Sequence, residues 1–227
     1  SSSLLEQIWY IGDENNDVFI DFTSGSPVVS EAVDTVGTEG QASYTDPITG
    51  ELQLYTDGLT LYNGQTHNVV ANGTGLQSDD STGEAALIMA KPGSSTEFYV
   101  FTNDIDFNAS TGSGIFVSTV DLSVGADGTV TSKNVAISGT GNAGEALDAV
   151  PHANGEDVWL LVYNNQSQID AYLVTSSGVS ATPVSSADTG CPMAPFLFAS
   201  FSGITNALPL CLNKIRPHIR SVLAAKL

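Results

Sequence analysis

The chain has 227 residues, 41% of them apolar and 14% charged, enough to bury a core and form a single all-β domain of sandwich or barrel size. Its 25 acidic and 6 basic residues leave a formal charge of −19. That charge repels phosphate backbones and anionic lipid heads, and so excludes nucleic acid and membrane surfaces as partners of the main body.

Taken in order, the runs "IWYIG", "DVFIDF", "QASYTD", "ELQLYTDG", "LTLYNG", "AALIMAK", "EFYVFTND", "GIFVSTVDLS", "TVTSKNVAIS", "DVWLLVYNN" and "IDAYLVTSSG" are each of strand length. Gly, Ser, Asn and Asp fall where the chain must reverse, which predicts a β meander. "GELQLYTDG", "STEFYVFTND" and "GEDVWLLVYNN" echo one another, and each is followed by a more polar strand. A repeat of roughly 40 to 50 residues with four strands is the signature of a propeller blade. Residues 1–190 therefore predict about four four-stranded blades, at the low end of the four to eight that close a ring, so the ring is small or incomplete. Asp57-Gly58 sits between "LQLYT" and "LTLYN" as an Asp-Gly hairpin turn, where glycine supplies a positive φ at little cost. Trp9, Tyr55, Tyr62, Tyr99, Trp159 and Tyr163 recur at equivalent places in these strands, which assigns them to the layers between blades rather than to a sugar-stacking site.

The charge breaks abruptly near residue 190. Residues 1–190 hold every acid and only Lys91 and Lys133, for −23; residues 191–227 hold Lys214, Arg216, Arg220 and Lys226 with no acid, for +4. The acidity serves solubility or attracts cations. "CPMAPFLFASFSGITNALPLCLNKIRPHIRSVLAAKL" keeps neither the Gly-Asx turns nor the strand pattern. It is expected to be a basic tail with an imperfect helical face interrupted by Pro209 and Pro217, docked on an exposed propeller edge in preference to a membrane surface. Cys191 and Cys211 are the two cysteines of the chain; they form one disulfide or remain thiols, and their spacing does not choose. The opening "SSSLLEQIWY" has no basic-then-apolar leader, as expected of a mature form, a trimmed form or a cytoplasmic protein.

Together "IWYIG", "FIDFTSGSPV", "TEGQASYTDPITGELQLYTDGLTLYNGQTHNVVANGTGL", "STGEAALIMAKPGSSTEFYVFTND", "VDLS", "GTVTSKNV", "EALDAVPHANGEDVWLLV" and "AYLVTSSGV" resemble the N-terminal propeller-like region of large surface and secreted proteins of Bacteroidetes-type bacteria. Such proteins often carry PKD-type or other immunoglobulin-like repeats and a sorting module of the gliding-motility or type IX secretion kind. The resemblance runs over residues 8–185 and implies an extracellular or cell-surface, adhesive or scaffolding segment with no catalytic residues to carry over. The PKD repeats, the sorting module and the later blades are missing here.

Asp104, Asp106 and Asn108 stand at alternate positions in "NDIDFNASTGSG", the way oxygen ligands wrap calcium. Ala109 and Ile115 occupy the places of the EF-hand glycine and glutamate, which leaves a non-EF calcium loop or a solvated acidic connection. Asp13, Asn15 and Asp17 form a weaker second set. His67, His152 and His218 match no ligand pair, and His152 is read as satisfying backbone groups beside a turn. No GxSxG elbow supports a Ser-His-Asp triad.

The residues thus predict a non-catalytic extracellular binding or scaffolding module. Its expected partners are a surface glycan or protein, with self-association or a partner chain at exposed blade edges. The rival is a glycoside hydrolase acting through a carboxylate pair. A sialidase form of that rival lacks arginines, because Arg216 and Arg220 both lie in the tail.

Overall fold

The computed structural model describes residues 7–12, 16–32, 40–106, 111–141, 143–164 and 168–188, the side chains of 106 and 111–113 excepted. The described residues form strands, turns and bends without a helix, as the all-β expectation requires. Residues 191–227, with Cys191 and Cys211, lie outside the described residues, and so do the tail readings that rest on them.

Strands β1 (Ile8–Ile11), β2 (Val18–Asp21) and β3 (Val28–Glu31) make an antiparallel first sheet. Strands β4 (Ala42–Thr45), β5 (Leu52–Thr56), β6 (Thr60–Asn63) and β7 (Val69–Thr74) form one antiparallel meander; β8 (Ala86–Ala90), β9 (Glu97–Asp106), β10 (Thr111–Asp121) and β11 (Thr129–Ala136) form the next. One parallel bridge, Thr129 opposite Ala71, joins β11 to β7. The two meanders thereby become an eight-stranded sheet in the order β4-β5-β6-β7-β11-β10-β9-β8. Because β4 also lies beside β8, this sheet is barrel-like and nearly closed. The last sheet runs β12 (Ala143–Pro151), β13 (Val158–Asn164), β14 (Gln168–Thr175) and β15 (Gly178–Val179), with β16 (Ser185–Asp188) also paired to β14.

Alternation along the strands explains the packing. In β9, Phe98 and Val100 face the first meander, where Leu54, Leu61 and Val70 meet them. Tyr99 and Phe101 point the other way, into a cluster with Leu147, Leu160, Val162, Tyr172 and Val174 of the last sheet. Tyr55 and Tyr62 stack with centroids 5.0 Å apart and join Tyr10 and Phe19 of the first sheet. Strands β5, β9 and β13 are buried on both faces, which is why they read as nearly continuous apolar runs. Full burial of one such Leu or Phe stabilises by about 1.5–3 kcal/mol. Of the six aromatics expected in the core, Tyr55, Tyr99, Trp159 and Tyr163 are buried, Tyr62 is half-buried and Trp9 is exposed.

The Asp57-Gly58 turn is structural, with four residues, 57–60, between the paired positions in place of two: Thr56 stands opposite Leu61. Asp57 Oδ1 accepts the amides of Leu59 at 2.9 Å and Thr60 at 2.7 Å, and Gly58 takes φ +89°. Thr56 Oγ1 accepts the Gly58 amide at 3.0 Å and donates to the Thr60 carbonyl at 2.7 Å.

Candidate functional site

Many acids of the body build turns. Asp21 Oδ1 accepts both the amide and the hydroxyl of Thr23, Asp79 does the same for Ser81, and Asp121 for Ser123. Asp46 and Asn154 each accept two amides in the same manner. An Asx turn satisfies backbone donors that a reversal would otherwise leave to water. The hydroxyl and amide of Thr23 hold the Asp21 carboxyl below its ordinary range, and those of Ser123 act likewise on Asp121.

The candidate calcium ligands are placed only in part. Asp104 belongs to β9 and is half-buried, and its Oδ2 accepts the Gln77 side-chain amide at 2.9 Å. Asp106 ends β9 opposite Thr111, and Asn108 lies outside the described residues. Of the second set, Asp13 and Asn15 lie outside the described residues, while Asp17 is buried and accepts the Tyr10 hydroxyl at 2.9 Å. Among the described residues no three His, Cys, Asp or Glu side chains are grouped to hold a metal ion. His152 Nδ1 accepts the Asn154 amide at 3.1 Å and its ring packs on Trp159, the backbone role expected of it.

A second polar cluster ties the meanders to the last sheet. Glu84 Oε2 accepts the Leu147 amide at 2.5 Å, and Glu145 Oε2 accepts the Gly83 amide at 3.2 Å. Asn103, fully buried, donates to the Gly144 carbonyl at 3.1 Å. Both glutamates are engaged with backbone amides.

Among the described residues, one arrangement able to take a ligand is a half-open cleft of about 470 Å³ between β9–β11 and the turn that follows β14. Val117, Val135 and Ile137 supply apolar surface, and Thr119, Ser132, Ser138, Ser176 and Ser177 supply hydroxyls. Tyr99 sits at its base with its hydroxyl donated to the Thr175 carbonyl at 3.2 Å. Two features shape it: a register irregularity in β10–β11 around Thr119, and the reversal at Gly178. Lys91 is the one charged group in the lining, and it is already paired with Glu97 at 3.0 Å. The bond to Glu97 raises the Lys91 pKa, so the ammonium stays charged and engaged. Hydroxyls beside apolar side chains can hold a neutral, hydroxyl-rich ligand, and the lining contains no carboxylate. Sequence reasoning missed this cleft, for which "VTSSG" was the available signal, read only as a strand exit.

Asp148 is the carboxyl whose surroundings stand out. It lies on β12 opposite Leu161, a buried member of the cluster formed by Ala146, Trp159, Leu161, Tyr163, Ile169 and Ala171. Burial raises its pKa, and the Ala149 amide, bonded at 2.7 Å, offsets this in part. Comparison with protein-family models, with curated proteins and with solved structures finds no match to this chain.

Proposed function

We propose that the chain is a non-catalytic extracellular or cell-surface module whose sheets are arranged as propeller blades, binding a neutral surface glycan in the cleft between the third and fourth of them. The observation that carries this reading is the cleft lining: hydroxyls and apolar side chains, one cation already paired, and no carboxylate. The blade arrangement is supported by the first strand of each unit. β1 lies beside β4, β4 beside β8 and β8 beside β12, the succession that inner strands follow around a propeller axis. The extracellular or cell-surface location is carried by the resemblance read from the sequence alone, to which the comparisons add no match.

The test is a glycan array probed with the full chain and with Val135→Trp, which fills the cleft from an exposed strand position. Retention of glycans by the parent and its loss in the variant is the expected result. An array on which the two proteins behave alike overturns the cleft as the binding site.

A carbohydrate-active propeller enzyme is the second reading, and the raised pKa of Asp148 is the observation in its favour. A half-buried carboxyl whose pKa is raised by burial is suited to general-acid work. Such an enzyme needs a second carboxylate about 5–10 Å away to act as nucleophile or base.

A further inference from the structure

One wall of the cleft is built from residues paired between β10 and β11, and it is graded along the strands. Val117 stands opposite Val135, and Thr119 stands opposite Ser132. Directly opposed residues share a face, so an apolar row lies beside a hydroxyl row. Strict alternation would forbid this, because Ser132 and Val135 differ by an odd number of positions and would point to opposite faces. A bulge removes the conflict: Lys133 and Asn134 together stand opposite Ser118, so that Ser132 and Val135 both reach the cleft. Asn134 takes φ +56°, and its amide donates to Ser118 Oγ at 3.0 Å. Its side chain donates to the Gly75 carbonyl at 3.0 Å and accepts the Gln77 amide at 2.9 Å. The graded wall therefore rests on a left-handed residue held in place from both sides.

We infer that the cleft selects a 6-deoxyhexose, a sugar with a methyl group where a hexose carries a hydroxymethyl, and seats that methyl on Val117 and Val135; this rests on the glycan reading of the cleft. Across the cleft, Tyr99 stands opposite Thr119 and its hydroxyl donates to the Thr175 carbonyl at 3.2 Å, which holds the turn bearing Ser176 to the hydroxyl row. Ring hydroxyls of a neutral sugar find donors and acceptors in Thr119, Ser132 and Ser176. A hydroxymethyl laid on the valine row would give up water for aliphatic carbon, which costs free energy. A methyl group gains from the same contact. The Ser180 hydroxyl, also in the lining, is engaged with the Thr182 carbonyl and the Leu173 amide. Lys91 is engaged by Glu97 and so does not draw the cleft toward an acidic sugar.

The test prints matched pairs of glycans that differ only in this group, ending in L-fucose against L-galactose and in L-rhamnose against L-mannose. The full chain and Val135→Thr are titrated over them; the variant keeps the shape of the side chain and sets a hydroxyl in the apolar row at an exposed position. The parent is expected to hold the deoxy member of at least one pair about fourfold or more tightly than its partner, the ratio that one buried methyl brings. In Val135→Thr that ratio should fall toward one. Equal retention within both pairs, a preference for the hexose, or a deoxy preference that survives Val135→Thr overturns the inference while leaving the cleft as a glycan site. Retention of no glycan at all by the parent overturns the inference together with the glycan reading.

Discussion

The carboxylate of Glu84, in the turn that precedes β8, accepts the amide of Leu147 at 2.5 Å where β12 departs from its register with β13 between Ala143 and Leu147. A strand irregularity frees amides from the ladder, and a buried amide without a partner is costly. Glu84 therefore turns a local defect of β12 into a tie between neighbouring sheets. Glu84→Ala is expected to lower unfolding free energy by about 1–3 kcal/mol, the range for a hydrogen bond to a charged group, and Glu84→Gln by less. Urea titration checks this, with the midpoint moving and the slope unchanged.

The Asp57-Gly58 loop separates two contributions. Gly58 has φ +89°, and a Cβ there would stand 3.0 Å from the Ala85 Cβ and the Ser78 Oγ. Gly58→Ala is expected to cost about 1–2 kcal/mol from the left-handed backbone alone, with the close approach adding to it. Asp57→Asn keeps an oxygen for the Leu59 and Thr60 amides and should cost less than Asp57→Ala, which loses both bonds. Thermal unfolding of the three variants ranks them.

Asp148 should make stability depend on pH in an unusual sense. Its folded pKa lies above the ordinary 3.8 because burial penalises the charge. The folded state thus holds the proton more tightly, and stability falls as pH rises from 3.8 through the folded value. Asp148→Asn keeps the acceptor for the Ala149 amide and removes the charge. It should raise the melting temperature at neutral pH and do so much less at pH values below 3.8.

At the alkaline end, Tyr172 provides the matching test. Burial, and then the nearby Asp170, push its phenol up to about 12 from the ordinary 10.0, and its hydroxyl donates to the Ser138 carbonyl at 3.2 Å. Its contribution is complete below pH 10.0 and is lost as pH rises through about 12. In Tyr172→Phe this part of the alkaline loss should disappear, as read by melting temperature across that range.

The strands most legible in the sequence were those buried on both sides, and alternation also marked half-buried ones such as β2 and β6. β5, β9 and β13 carry Leu54, Phe101 and Leu160 in dense apolar runs, and period and composition agree there. β12 escaped notice because "AGEALDAVP" is rich in small and helix-favouring residues, although Ala143 and Ala146 are buried. β7, "VVANGT", is broken in sequence by Asn72, which takes φ +60°, and β3, "VVSE", is wholly exposed. Spacing alone left two readings open at Asp104 and Asp106. Alternate carboxylates suit a ligand-bearing loop, but period two is also the period of a strand, and both residues lie in β9. The cleft was invisible because it joins the irregular stretch around Thr119 to a turn at Ser176–Gly178, which only the packing of one sheet on the next brings together.

Incubating the full chain with the glycans it retains, and weighing the recovered material by mass spectrometry, separates binding from turnover most directly. Recovery of every glycan intact is expected of a module whose cleft carries no free acid or base. Release of shortened glycans that stops in Asp148→Asn would show that the protein is a hydrolase.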